Sequence, residues 1–144
     1  MLVRTALVAV TVPLIALLVG SAWAETKEFY LVTDEVKWQG KAGETVVDRG
    51  RGPVPEIERY VFIPAFLVVR KGDEVVLRVH VVKGKEHVIR ISAFGVQGVR
   101  IKRGEQQAIR FVADKVGLFE ILCMTHRTPD HEGPMVAYLH VTER

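Results

Sequence analysis

An all-β, antiparallel sandwich is the fold this sequence predicts, and three observations predict it. From residue 57 onward, short runs rich in β-branched residues follow one another, separated by Gly-containing breaks. Within those runs apolar and polar residues alternate with the period of two that marks a half-buried strand. No long stretch carries helical periodicity, and there is no repeat or low-complexity tract.

The chain begins with an address. "MLVR" is basic, "TALVAVTVPLIALLVG" is apolar and uncharged, and "SAWA" ends in small residues. That order describes a secretory signal peptide over residues 1–24, cut near Ala24, and an exported or periplasmic protein. The apolar run of about 16 residues is shorter than the roughly 20 that span a bilayer. The remaining 120 residues suit one domain with a real core. Arg4 is the only charge removed, which leaves 19 Lys and Arg against 17 Asp and Glu. That balance, with no basic stripe carrying interleaved aromatics, argues against nucleic acid.

Residues 25–56 read as an N-terminal strand, "KEFYLVT", and a long connection rich in Gly, Pro and charge, with a short strand near "TVV". The domain of residues 57–144 follows. Its strands are "IERYVF", "AFLVV", "EVVLRVHVV", "HVIRIS", "GVRIKRG", "QAIRFVA", "LFEILC" and "MVAYLHVT", and Gly72-Asp73 marks the turn after the second of these.

Alternation separates the histidines. In "HVIRI" Arg90 belongs outside, so His87 points inward with Ile89 and Ile91. In "LFEILC" Glu120 belongs outside, so Cys123 points inward with Phe119 and Ile121. His80 shares a polar face with Arg78, and His140 sits with Val136 and Tyr138 opposite Met135, Ala137, Leu139 and Val141, so both read as surface histidines. His126 and His131 lie in a loop, where alternation says nothing.

That loop, "CMTHRTPDHEGPM", joins the chain's only cysteine to His126, His131 and Met135. A lone cysteine in an exported protein has no internal disulfide partner; it is a spare thiol, an intermolecular bridge or a ligand, and a sequestered role is favoured. Taken singly, a buried Cys, an inward His and a Met heading a strand are ordinary packing. Together, Cys123-x2-His126-x4-His131-x3-Met135 with an inward His87 form a metal-ligand pattern. Thiolate plus imidazole suits copper, and a weak axial Met completes a blue-copper arrangement. Zinc competes, since one Cys and three His bind it tetrahedrally. Pro129 and Pro134 stiffen the loop.

"FLVVRKGDEVVLRV", the inward His and "GLFEILCMTH…M" resemble the cupredoxin superfamily over roughly residues 57–142. "ISAFGVQGVRIKRGE", "FVADKVGLFEILC" and the C-x2-H-x4-H spacing most resemble nitrosocyanin, the red copper proteins. The copper domain of cytochrome oxidase subunit II is also similar. The resemblance implies a Greek-key sandwich with one copper per chain, and copper ligands at Cys123, His126 and His131. The fourth ligand of the red proteins is a glutamate, and its position falls on His87, beside Glu86, which is the alternative ligand. The oxidase domain's second cysteine corresponds to Arg127, which argues against two coppers. On this reading His87, Cys123, His126 and His131 all bind one copper, and Met135 is weak or non-bonding.

Three functions follow. The first is electron transfer through a Cys/His copper site, with redox proteins as partners and no substrate. The second is a red copper site that binds or transforms a small molecule such as nitric oxide. The third is copper delivery, which a buried Cys thiolate argues against. The resemblance also implies a homotrimer. No Ser-His-Asp arrangement and no paired inward carboxylates point to hydrolysis.

Overall fold

The computed structural model describes residues 24–41, 43–48 and 51–143. The expected signal peptide lies almost wholly outside them. Eleven strands occur among the described residues. They are β1 (Thr26–Gln39), β2 (Val46–Asp48), β3 (Gly52–Val54), β4 (Glu56–Ile63), β5 (Phe66–Arg70), β6 (Glu74–Val81), β7 (Glu86–Ile91), β8 (Val96–Lys102), β9 (Gln106–Val112), β10 (Gly117–Cys123) and β11 (Val136–Thr142). Short 3-10 turns cover Ser92–Phe94 and Pro129–His131.

One sheet has the order β4-β1-β6-β9 and the other β5-β11-β10-β7-β8, with β2-β3 as a separate hairpin. The all-β sandwich expected from the sequence is therefore present. Most pairs are antiparallel, but β1 runs parallel to β6 and β5 parallel to β11. Side-chain alternation fixes which face a residue takes and is blind to the direction of its neighbour, so the sequence could not announce these two pairs.

The two inner faces meet in one core, where Leu31, Leu77, Ile89, Ile101, Ile121 and Leu139 are fully buried. Burying each such side chain contributes about 1.5–3 kcal/mol. The alternation works as expected: His87, Ile89 and Ile91 are buried on β7, Ile121 and Cys123 on β10, while His80 and His140 are exposed.

The first strand is longer than "KEFYLVT". It pairs with β6 over Thr26–Thr33 and with β4 over Val32–Gln39. Residues 34–39 of β1 thus run past the end of β6 and carry β4 beyond the sandwich. That end of the molecule also holds the start of β7, the end of β10 and the loop into β11.

Candidate metal centre

β10 meets β7 only at Leu122–Arg90 and Cys123–Ile89, and the next residue continues the pairing through a Met124 N–H donated to the Val88 carbonyl, 2.8 Å. This short contact sets Cys123 two residues from His87 across the sheet. The Cys123 Sγ lies 3.4 Å from His87 Nδ1 and 3.4 Å from His126 Nδ1. All three ligand atoms lie within 4.8 Å of one another, and all three residues are buried. Bonds of about 2.0 Å to nitrogen and 2.3 Å to sulfur, at a roughly tetrahedral angle, separate two donors by about 3.4 Å. The donors therefore stand at the spacing of ligands that share one ion.

The histidine tautomer follows from the surroundings. His87 Nε2 is 2.8 Å from the Lys83 carbonyl. A carbonyl only accepts, so Nε2 carries the proton and donates it. Nδ1 is thereby left to face Cys123, 3.4 Å from its sulfur, where it donates to the thiolate when protonated and offers its lone pair to an ion once that proton is lost, as a metal-binding imidazole oriented by an outer carbonyl does. Lys83 comes from the turn before β7, in which Gly84 has φ +81°.

The loop after Cys123 is closed by its own backbone. The Cys123 N–H donates to the Met135 carbonyl at 3.0 Å and the Met135 N–H donates to the His126 carbonyl at 2.9 Å. Met135, 1 % exposed, thus brackets Cys123 and His126 and shares their core. A Cβ on Gly133 would sit 2.3 Å from the His126 carbonyl oxygen, so only glycine lets the loop pack this close.

The chemistry of the group suits a soft or borderline ion. Burial pushes the Cys123 thiol up, but the His87 imidazole and the backbone N–H groups of Val88 and His126 outweigh it and leave the thiol below its ordinary range. Burial, with smaller contributions from His87 and His131, pushes His126 down to about 4. Its ring is therefore neutral, and able to ligate, at pH 7.

The same depression makes the metal-free protein acid-sensitive. The unfolded chain takes up the His126 proton near pH 6.5, whereas the folded chain resists it down to about pH 4. Stability is then full above pH 6.5 and falls as pH drops between those values, by up to roughly 3 kcal/mol. Urea unfolding of metal-free protein at pH 7 and pH 4.5 measures this. His126→Gln should flatten most of the difference.

The other expected ligands stand apart from this group. His131 is exposed on the Pro129–His131 turn, with Nδ1 2.9 Å from the Thr128 hydroxyl. It lines a surface cleft with Met124, Thr125, Arg127 and Thr128. Glu86 points away from His87 by alternation and ion-pairs with Arg100 on β8. Two participants escaped the sequence reading. One is Gly84. The other is Tyr60 of β4, whose ring centroid lies 4.4 Å from that of His126 and 5.5 Å from that of His87.

No protein-family model and no curated protein matches this chain. Solved structures do. A copper nitrite reductase from Nitrosomonas europaea is similar at TM-score 0.62 and 19% identity, over 83% of this chain and 42% of that one. Blue Copper Oxidase from the same organism is similar at 0.63 and 18%, over 83% and 40%. The Cu-containing nitrite reductase NirK from Thermus scotoductus SA-01 is similar at 0.60 and 21%, over 84% and 28%. The fold is cupredoxin-like. The chain spans less than half the length of each of these proteins, and at such identities the likeness concerns the fold alone.

Proposed function

We propose that this chain is an exported mononuclear copper protein that passes single electrons through a centre made of His87, Cys123 and His126. The observation that carries the proposal is the buried trio of donors, two imidazole nitrogens each 3.4 Å from one thiol sulfur, at one end of a cupredoxin-like sandwich. The solved structures of this fold include proteins named for copper. Copper bound there supplies a one-electron couple between Cu(I) and Cu(II). The chain supplies the rest. Two backbone bonds between the loop and Met135, the Lys83 carbonyl behind His87 and the surrounding core hold the donors still. A centre that moves little on a change of charge needs little reorganisation to exchange an electron. Burial of Cys123 and His87 keeps water from the thiolate.

The red-copper reading makes His131 a fourth strong donor. Its exposure and its bond to Thr128 instead favour three strong donors with Met135 as a weak fourth, the blue-copper arrangement. Single substitutions separate the two. His126→Ala should abolish the intense visible band of the copper protein, whereas His131→Ala should leave band and potential nearly unchanged. Met135→Leu should keep the colour and raise the potential, since it removes a weak donor to the oxidised ion. A large spectral change in His131→Ala with a silent Met135→Leu would return the assignment to the four-ligand red site. Spectroelectrochemistry on the wild type tests the electron-carrier role itself: a reversible one-electron wave with no added substrate is expected. A centre that oxidises or reduces only when a small molecule is consumed would contradict it.

A further inference from the structure

We propose that Tyr60 is the lid of this centre: its ring, brought from the opposite sheet, closes the side of His126 that faces solvent and bars small exogenous ligands from the metal. The inference rests on the centre proposed above and adds to it the group that decides between a closed electron-transfer site and an open ligand-binding one.

Tyr60 lies in the part of β4 that pairs with β1 at Glu35, past the last β1–β6 partners at Thr33 and Val81. The paired strands therefore project over the end of the sandwich where the donors sit. The ring is hemmed in from two segments. It packs on His126 at a centroid distance of 4.4 Å and 43° between planes, and meets His87 edge-on at 5.5 Å and 74°. The turn before β7 passes so close that a Cβ on Gly84 would lie 3.4 Å from Tyr60 Cε1. The strand is also fastened to the ligand loop, because the Tyr60 N–H donates to the Glu132 carbonyl at 2.9 Å.

Phe29, Phe94 and Phe119 are also half-buried against the core, and what sets Tyr60 apart is that its ring lies on two of the donor rings. Tyr60 is half-buried, with the histidine rings on its inner side and solvent on the other. Beneath it His126 keeps 8 % exposure, while His87 and Cys123 have none. An aromatic face gives this cover without offering a donor that competes for the ion, and the work is done by the ring, not the hydroxyl.

The experiment has two arms. In metal-free protein the probe is alkylation of Cys123 by iodoacetamide under native conditions. Wild type and Tyr60→Phe should react slowly and alike, and Tyr60→Ala at least tenfold faster. Leu139→Ala, a core truncation away from the centre that loosens the fold generally, should not reproduce that gain. In the copper-loaded protein the probe is azide. Wild type and Tyr60→Phe should show no new absorption, and Tyr60→Ala a saturable new band. The lid is overturned if Tyr60→Ala alkylates at the wild-type rate, if Leu139→Ala matches it, or if azide binds the wild type. Loss of colour in every protein, with the alkylation pattern intact, would refute the copper assignment and leave Tyr60 as the cover of Cys123.

Discussion

Cys123→Ser is expected to bleach the copper-loaded protein and to lower its copper affinity by roughly a hundredfold or more. The reason is chemical, not architectural. The substitution keeps the shape of the side chain and leaves the inward position between Ile121 and the loop unchanged. A serine hydroxyl is hard and poorly ionised, while a thiolate is soft and, at this site, favoured by the His87 imidazole and two backbone N–H groups. The metal-free variant should fold, at a cost of about 1 kcal/mol, because His87 and His126 can still bond the hydroxyl. Copper titration followed by visible absorption and a competing chelator measures both effects. Since the thiol must lose its proton to bind, uptake by the wild type should also release protons and weaken in acid. A Cys123→Ser protein that colours and binds like the wild type would put the metal elsewhere.

Gly84→Ala is expected to damage both fold and site. At φ +81° an alanine costs about 1–2 kcal/mol of backbone strain. Its Cβ would also stand 2.5 Å from His87 Nε2, the atom that donates to the Lys83 carbonyl. The buried ring has to shift, the bond that fixes its tautomer breaks, and overpacking adds a further 1–3 kcal/mol or so. Copper affinity should fall about ten- to a hundredfold, the usual effect of losing a ligand's outer partner. Gly104 provides the control. It has φ +82° and nothing within 4 Å of its notional Cβ, so Gly104→Ala should show the strain alone and bind copper normally. Denaturation midpoints and chelator competition on the two variants test this. Equal copper affinities in both would show that the approach to His87 does not matter.

What the sequence could reveal depended on whether a residue sat in a regular strand. Alternation put His87 and Cys123 inside and His80 outside because Arg90, Glu120 and Arg78 set the phase of their strands, and put His140 outside because Ala137, Leu139 and Val141 occupy the opposite face. It could not reach the loop. His126 and His131 have similar sequence credentials beside Cys123. The difference between them arises from bonds that spacing does not encode, such as Met135 N–H to the His126 carbonyl and His131 to Thr128. Tyr60 was invisible for another reason. In "IERYVF" it reads as an ordinary half-buried aromatic, and it reaches the centre only because β1 continues to Gln39 and carries β4 outward. That extension was hidden in a segment whose Gly, Pro and charge read as a connection. The Lys83 carbonyl is a backbone atom, with no sequence signature at all.

The most direct test of the account is X-ray absorption at the copper edge of the wild-type protein loaded with one equivalent. Donation by His87, Cys123 and His126 predicts one short sulfur scatterer at about 2.3 Å or slightly less and two imidazole nitrogens at about 2.0 Å, with the sulfur lost in Cys123→Ser. A first shell of nitrogen and oxygen only, or a sulfur that survives Cys123→Ser, would contradict it.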